Sequence, residues 1–475
     1  MGTETIATSS DGHAAKTAEF LRWFKNIPGT TFSDAIQIAD LRCRDSGRGI
    51  VAVQDIPAES AIFTIPRHAI ISTETSALPQ KLPDMFESQG DEDHEQGLDS
   101  WSGLILVMMY EFLLEDQSRW KPYLDVLPEE FDTPMFWSNA ELSELQASAV
   151  VGKIGKDSAE EMFRSRLLPA IRENPNVFTS SGQWSDNELL QLAHRMGSTI
   201  MAYAFDLEGE EAGDETGEDG WIEDREGKSL MGMVAMADIL NADAEFNAHV
   251  SHGDDALVVT TLRNIQAGEE ILNYYGPHPN SELLRRYGYV TDRHSRYDVV
   301  EIPWEAVQNC LVSELRVTPE LVMNAMERLD SEEMEDVFVL ERETVEPDSN
   351  GRLIGPAAMK DVPLDLKEQL KALVKVLQKM DDNLLPDKRK RSDKIRSILA
   401  GGLRLIASRY PTNLAEDQEL LKQVDLSRRH RMAITVRLGE KRVIQEALDL
   451  LTAPTGYNAA DPDVSTAKRV KRAAQ

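Results

Sequence analysis

Residues 268–290 read GEEILNYYGPHPNSELLRRYGYV. The stretch opens on a β-prone run at 271–274, turns at the first tyrosine-glycine pair, Tyr275-Gly276, and continues through a helical turn. It ends in a second such pair at Tyr287-Gly288, so the two phenols are expected to return close to one another. Four of the chain's 10 tyrosines, Tyr274, Tyr275, Tyr287 and Tyr289, fall inside it. Aromatic residues are common on strands, so each alone reads as core. Their concentration at a strand-turn-helix junction is what calls for a chemical reading.

Working outward, 257–261 (LVVTT) follows the turn signal HGDD and leads through NIQAGEE into the quoted strand. Further upstream, 50–53 and 62–65 are short apolar runs separated by DIPAES, a turn containing a proline, and they read as a hairpin of paired strands. Between about 76 and 236 the period becomes helical, most clearly at 104–114, 139–154, 159–172 and 186–205. A large helical insertion within a sheet is therefore expected. A helix begins near Thr17 with Phe20, Leu21 and Phe24 on one face, and residues 1–16 read as disordered. Beyond about Val300, Leu366, Leu370, Leu373, Val374 and Leu377 line one face of an amphipathic helix, and Met432, Val436, Val443, Ala447 and Leu450 do the same in the last one. The expected fold is α+β: a β-rich domain over 17–300 that carries the insertion, an all-helical domain over 301–455, and a basic disordered tail over 456–475.

The length, 475 residues, allows two or three domains. A net charge of -31 argues against direct binding to DNA or RNA, which needs clustered Lys and Arg. It suits a basic protein partner, drawn in by long-range attraction, although acidity also serves solubility alone. The segment 206–226 carries eleven acidic residues against the single Arg225 and reads as a solvated loop, as does DEDHE at 91–95. No run approaches the roughly 20 apolar residues of a membrane span, and the first residues lack a secretory pattern. An intracellular protein is expected. Cys43 and Cys310 form neither a disulfide framework nor a zinc site and read as reduced thiols. The basic runs DKRKRSDK at 387–394 and AKRVKRAAQ at the end read either as nuclear import signals or as solvated faces.

Three further segments belong beside the tyrosine stretch. In RDSGRGIVAVQDI, 44–56, Gly47 and Gly49 flank Arg48 just before a strand. This is no dinucleotide fingerprint, since a third glycine is missing and a strand, not a helix, follows. In MVAMADILNADAEFNAHV, 233–250, an apolar run gives way to polar residues at Asn241; Asn241 and Asn247 suit turns. GSTIMAYAFDLE, 197–208, places Tyr203 and Phe205 at the end of a helix.

Taken together and in this order, these segments resemble the SET-domain protein lysine methyltransferases, over about 20–300. Within that family the chain is similar to the Rubisco large-subunit methyltransferase group, which carries a helical insertion in the SET fold and a helical substrate-binding domain after it. ADILNADAEFN, MAYAF and YGPHPNSELLRRYGYV further resemble the fungal ribosomal lysine methyltransferases of that group. The resemblance implies S-adenosylmethionine as cofactor, with backbone contacts from the loop Ser46, Gly47 and Arg48 on one side and from Asn241 and Ala242 on the other. It implies a cofactor contact at Tyr203 and the catalytic phenol at Tyr275. Tyr287 and Tyr289 would close the cofactor site and wall the lysine channel, and Asp238 would stand beside that channel as a substrate-binding residue, as would Tyr275 and Tyr287. The chain departs from the family pattern at Ala242, where many members have His, and at Tyr203, where some have Arg.

The chemistry accounts for phenols in such a place. Methyl transfer to lysine is an in-line displacement by a neutral amine, so a site must align the reacting atoms and admit the amine uncharged. Desolvation in a narrow channel lowers a lysine pKa, and aromatic walls favour a nearby cation. No metal is required. The implied substrate is a basic large-subunit ribosomal protein, L42, receiving one methyl group, and the implied location is the nucleus. Two other readings share these residues: the same reaction on a histone or transcription factor, and a catalytically inactive acidic module that binds basic proteins.

Overall fold

The computed structural model describes residues 5–44, 46–86, 97–207, 230–329, 334–381, 384 and 390–453. The acidic run at 91–95, nearly all of 206–226, the first three residues of the basic run at 387–394 and the tail from 456 lie outside the described residues. The fold is mixed α and β. Its described part begins with helix α1, Thr5–Asn26, which starts well before Thr17 and so extends into the residues expected to be disordered. Phe20 and Phe24 are the reason for the helix's position. Both are fully buried, which stabilises by roughly 1.5–3 kcal/mol for each such side chain.

Strands β1 (Thr31–Phe32), β2 (Ile36–Asp40), β3 (Arg48–Ala52), β4 (Ala61–Pro66) and β5 (Ile71–Ser72) follow. The expected hairpin of β3 with β4 does not form. β3 lies between β2 and a later strand, and β4 lies between β1 and another. The intervening turn, with Pro57 and with Glu59 in left-handed backbone at φ 59°, carries the chain from one sheet to the next. Both edges of each strand are thereby filled by partners from elsewhere in the chain.

The insertion contains helix α2 (Ser100–Leu113), capped by the Asp99 side chain, and helix α3 (Asp186–Tyr203), whose start is a capping box of Ser185 and Glu188. Almost every residue of α2 is buried, because it runs against α3 and the sheet. Strands β6 (Ala204–Asp206) and β7 (Met231–Met233) then return to β5, giving a three-stranded sheet in the order β5-β7-β6. Tyr203 thus ends a helix while Phe205 is already in a strand.

Strands β8 (Asn241–Ala242), β9 (Ala248–His252), β10 (Ala256–Thr261) and β11 (Glu270–Asn273) complete two four-stranded sheets, ordered β1-β4-β10-β9 and β2-β3-β11-β8. The pairing of β11 with β8 is parallel, with Leu272 opposite Asn241 and Asn273 opposite Ala242. Helix α4, Asn280–Tyr287, follows directly and ends at Gly288 with φ +75°.

The chain divides into two compact units. The first holds Met1–Val299 together with Arg342–Ala358 and Thr412–Glu440, and the second holds Val300–Glu341, Met359–Pro411 and Lys441–Gln475. In the second, β12 (Val300–Pro303) pairs with β13 (Val337–Leu340), beside helices α5 (Trp304–Leu315), α6 (Pro319–Met326), α7 (Leu364–Met380) and α8 (Arg391–Ala407). The stripe Leu366, Leu370, Leu373, Val374 and Leu377 of α7 is buried. The last helix is α9 (Arg428–Thr452); in its first part, which belongs to the first unit, Met432 and Val436 pack with Trp137, Leu145 and Leu284 of the same unit.

Candidate active site

The parallel pairing of β11 with β8 brings the quoted stretch to Asn241. Asn241 donates from Nδ2 to the carbonyl of Arg48 at 3.2 Å and to Oε1 of Glu270 at 2.7 Å, so β8, β11 and the glycine loop meet in one side chain. Gly49 leaves space for these side chains: a Cβ there would stand 2.4 Å from Leu41 Cδ1, 2.8 Å from Glu270 Oε1 and 2.9 Å from Asn241 Nδ2, so all three side-chain ends would have to shift to admit it. At Gly47 the opposite holds, since a Cβ would meet nothing within 4 Å. The loop at Ser46 and Gly47 therefore has room beside it for a ligand. The Arg48 side chain turns inward instead, donating to Thr17 Oγ1 at 2.9 Å and to the Val126 carbonyl at 2.8 Å, and burial lowers its pKa. Only the backbone of Arg48 faces the loop.

Past β11, Tyr275 and Gly276 turn the chain, with Gly276 at φ +105°. The Tyr275 ring stacks on Tyr287 at 4.8 Å between centroids, and Tyr287 meets Tyr289 at 6.1 Å. Two phenols separated by a whole helix are thus in contact. Tyr274, just past the end of β11, points elsewhere and stacks on Phe246 at 4.6 Å. The Tyr275 hydroxyl donates to the Leu240 carbonyl at 3.0 Å, and the Tyr289 hydroxyl lies 3.4 Å from the Ala242 carbonyl. Burial, then Tyr289, Tyr287, Tyr203 and Asp238 around it, push the Tyr275 phenol well above its ordinary pKa. It stays protonated at neutral pH. With that proton given to Leu240, the oxygen keeps its lone pairs to accept another hydrogen bond.

Asp238 sits in the turn just before β8 and is 9% exposed. Its Oδ2 accepts from the Tyr123 hydroxyl at 2.6 Å, while its buried Oδ1 has no hydrogen-bond partner. Burial pushes Asp238 up to about 7, against the opposing effect of the Tyr123 hydrogen bond. Burial and the nearby Asp238 also push Tyr203 up to about 12. A carboxyl that changes charge near neutral pH therefore lies within electrostatic range of Tyr203 and Tyr275. Tyr123 comes from the short helix Lys121–Leu124, is fully buried, and stacks on Trp23 at 6.3 Å. Sequence reading passed over it, because a lone tyrosine in a one-turn helix carries no pattern.

Other residues hold the frame. Asn247 accepts from the Leu272 amide and donates to the Glu270 carbonyl, both at 2.8 Å, which fixes β11 from its far side. Asn280 accepts from the Thr291 amide at 2.9 Å, tying the start of α4 to the segment after Tyr289. Gly288 has its amide on the carbonyls of Leu283 and Leu284, and its α-carbon faces the backbone of Asp132 and Thr133, where a Cβ would sit at 3.1 Å. The structure thus joins Tyr275, Tyr287, Tyr289 and Ala242 in one cluster and Arg48 with Asn241 in another; Asp238 and Tyr203 lie in electrostatic reach of Tyr275.

The model of the SET domain matches residues 47–276, and that of the Rubisco LSMT substrate-binding domain matches 329–444. Ribosomal lysine N-methyltransferase 4 of Saccharomyces cerevisiae is 34% identical over 63% of this chain, and the match spans 60% of that protein's length. N-lysine methyltransferase setd6 of Xenopus laevis is 27% identical over 91% of this chain and 94% of its own. Among solved structures, the SET domain of LSMT bound to lysine and AdoHcy superposes with a TM-score of 0.62 at 19% identity, covering 92% of this chain and 91% of that one. Rubisco LSMT bound to AdoMet gives a TM-score of 0.59 at 18% identity over the same shares. The chain carries a SET domain over 47–276 and a Rubisco LSMT substrate-binding domain over 329–444, and it is similar to protein lysine methyltransferases that combine the two.

Proposed function

We propose that this chain is an S-adenosylmethionine-dependent protein-lysine N-methyltransferase that adds one methyl group to a basic protein of the large ribosomal subunit, L42. The observation that carries the catalytic part is the Tyr275 phenol, stacked on Tyr287 with its proton committed to the Leu240 carbonyl. S-adenosylmethionine, when bound, supplies the methyl group as an electrophile. The open space at Gly47 and the backbone of Ser46, Arg48, Asn241 and Ala242 are the residues to hold it, with Tyr203 and Tyr289 as flanking rings. The chain's own task is then to admit a neutral amine and orient it. Stacked aromatic walls at Tyr275 and Tyr287 take the alkyl stem and exclude water, which lowers the amine's pKa. The Tyr275 oxygen accepts an N–H of that amine and so fixes where the nitrogen lone pair points. Asp238, held by Tyr123, offers a buried carboxyl beside this channel.

The ribosomal substrate is supported by the likeness to Ribosomal lysine N-methyltransferase 4, and a basic target by the net charge of -31. Nuclear location is part of the same proposal, supported by the two basic runs in the sequence. A second reading keeps the reaction and moves it to a histone or transcription factor; the setd6 relative, matched over nearly its whole length, bears a name that specifies lysine methylation without a ribosomal substrate. Incubation with methyl-labelled cofactor and separate ribosomal-subunit and histone fractions distinguishes the two. Label in a large-subunit protein supports the first, and label in histones alone overturns it.

A further inference from the structure

A cavity of about 330 Å³ opens between the helical insertion and α4, and Tyr203, Tyr275, Tyr287 and Tyr289 do not line it. Its apolar wall is formed by Trp101 of α2, Met162 and Phe163 of the segment after Gly155, and Met201 of α3. Gly197 of α3 lets the wall close up, since a Cβ there would stand 3.2 Å from Trp101 Cζ2. Methionines adapt to ligands of different shape, and the volume falls in the range of small-molecule sites.

Two polar donors in the lining are poorly matched. Thr133 is 2% exposed and its Oγ1 has no hydrogen-bond partner. Arg285 gives Nε and Nη2 to Oε2 of Glu282, at 2.9 and 2.7 Å, but its Nη1 faces the thioether sulfur of Met201 at 4.0 Å. A thioether is a weak acceptor for a guanidinium. Arg286 reaches the same Glu282 oxygen at 3.4 Å, so one carboxylate oxygen serves two cations. Lys153 adds a third cation to the lining, and the lining carboxylate Asp99 is engaged as the α2 cap, accepting from the Ser102 amide at 2.6 Å. The lining therefore combines an apolar surface with donors and positive charge, which meet where Arg285 approaches Met201.

We propose that this cavity binds a small amphipathic monocarboxylate, whose apolar body lies against Trp101, Phe163 and the methionines and whose carboxylate takes the under-used donors of Arg285 and Thr133. Arginine is the residue best suited to a carboxylate, through charge-assisted hydrogen bonds from its planar fork. The site is independent of the methyl-transfer reading, because its test reads binding alone.

The test is isothermal titration calorimetry of the full chain with octanoate, 1-octanol and octyltrimethylammonium. Octanoate binds saturably at one site, octanol binds at least about tenfold more weakly for want of the charged hydrogen bonds, and the cation gives no saturable heat. Ser158→Trp, a change at the exposed rim of the cavity, fills it and removes octanoate binding while the thermal unfolding midpoint stays unchanged. Arg285→Gln brings octanoate down to the affinity of octanol. Equal affinity of octanol and octanoate for the unaltered protein, no saturable binding of octanoate, or octanoate binding undiminished in both variants overturns the proposal.

Discussion

A phenol whose proton is already given away, as that of Tyr275 is to the Leu240 carbonyl, meets a further polar group only as an acceptor. Tyr275→Phe removes the acceptor oxygen but keeps the ring stacked on Tyr287. Cofactor affinity by calorimetry should stay within about twofold, while single-turnover methylation falls by roughly 10²-fold or more, the scale of losing one positioned polar group in a reaction site. Equal turnover would remove Tyr275 from its role. Asp238 gives a second expectation, in pH. Its folded pKa of about 7 lies above the ordinary aspartate value of about 3.9, so the folded state holds the proton more tightly than the unfolded chain. Its contribution to stability is full below pH about 4 and is lost as pH rises through about 7, by an amount on the order of 4 kcal/mol. In urea titrations from pH 4 to 8, Asp238→Asn should flatten that fall; parallel curves for the two proteins would contradict the burial argument. Tyr123→Phe removes the hydrogen bond that favours the carboxylate and should raise the Asp238 pKa further, as carboxyl NMR would read. The tyrosines of 268–290 were legible because they stand together in the sequence. Tyr123 was not, since its partner lies 115 positions away and neither residue carries a local signal.

Helices and strands show the same division between local and distant information. The turn at Gly288 was visible as a tyrosine-glycine pair, but not the reason for it: left-handed backbone at φ +75° pressed against Asp132 and Thr133. Gly288→Ala combines left-handed strain with a Cβ at 3.1 Å from a neighbouring backbone, and should destabilise by about 1–3 kcal/mol in chemical denaturation. Because Tyr287 and Tyr289 flank it, the apparent KM for a lysine substrate should rise as well. The face of α7 could be read outright, since five apolar residues at helical spacing have only one way to be buried together. The hairpin of β3 with β4 could not: an apolar run states that a strand is buried and says nothing of its partner. Buried charge separates elements in a further way. Arg437, 1% exposed, pairs with the fully buried Asp417 at 2.8 Å, joining α9 to Leu414–Leu420. Asp417→Ala removes the buried partner and leaves the guanidinium its pairing with Glu144 at 2.9 Å, and should cost about 1.5–3 kcal/mol.

For the whole molecule, the two compact units and the net charge set the terms of substrate encounter. With a charge of -31, association with a basic protein substrate should be steered at long range, so stopped-flow on-rates ought to drop about tenfold or more as salt rises from dilute to molar buffers. A rate independent of salt would leave the acidity with solubility alone. The order of the segments along the chain was legible as a family pattern. That Arg342–Ala358 and Thr412–Glu440 belong to the first unit was not, because chain continuity hides which face of a helix meets which core. The central claim is that the stacked tyrosines form a lysine-methylating channel, and the direct measurement is mass spectrometry of large ribosomal subunits incubated with S-adenosylmethionine and either the unaltered protein or Tyr275→Phe. A single added methyl on one lysine of a large-subunit protein, present with the unaltered protein and lost with Tyr275→Phe, is the expected result. Methylation that persists in Tyr275→Phe, or no lysine methylation by a protein that binds the cofactor, would contradict it.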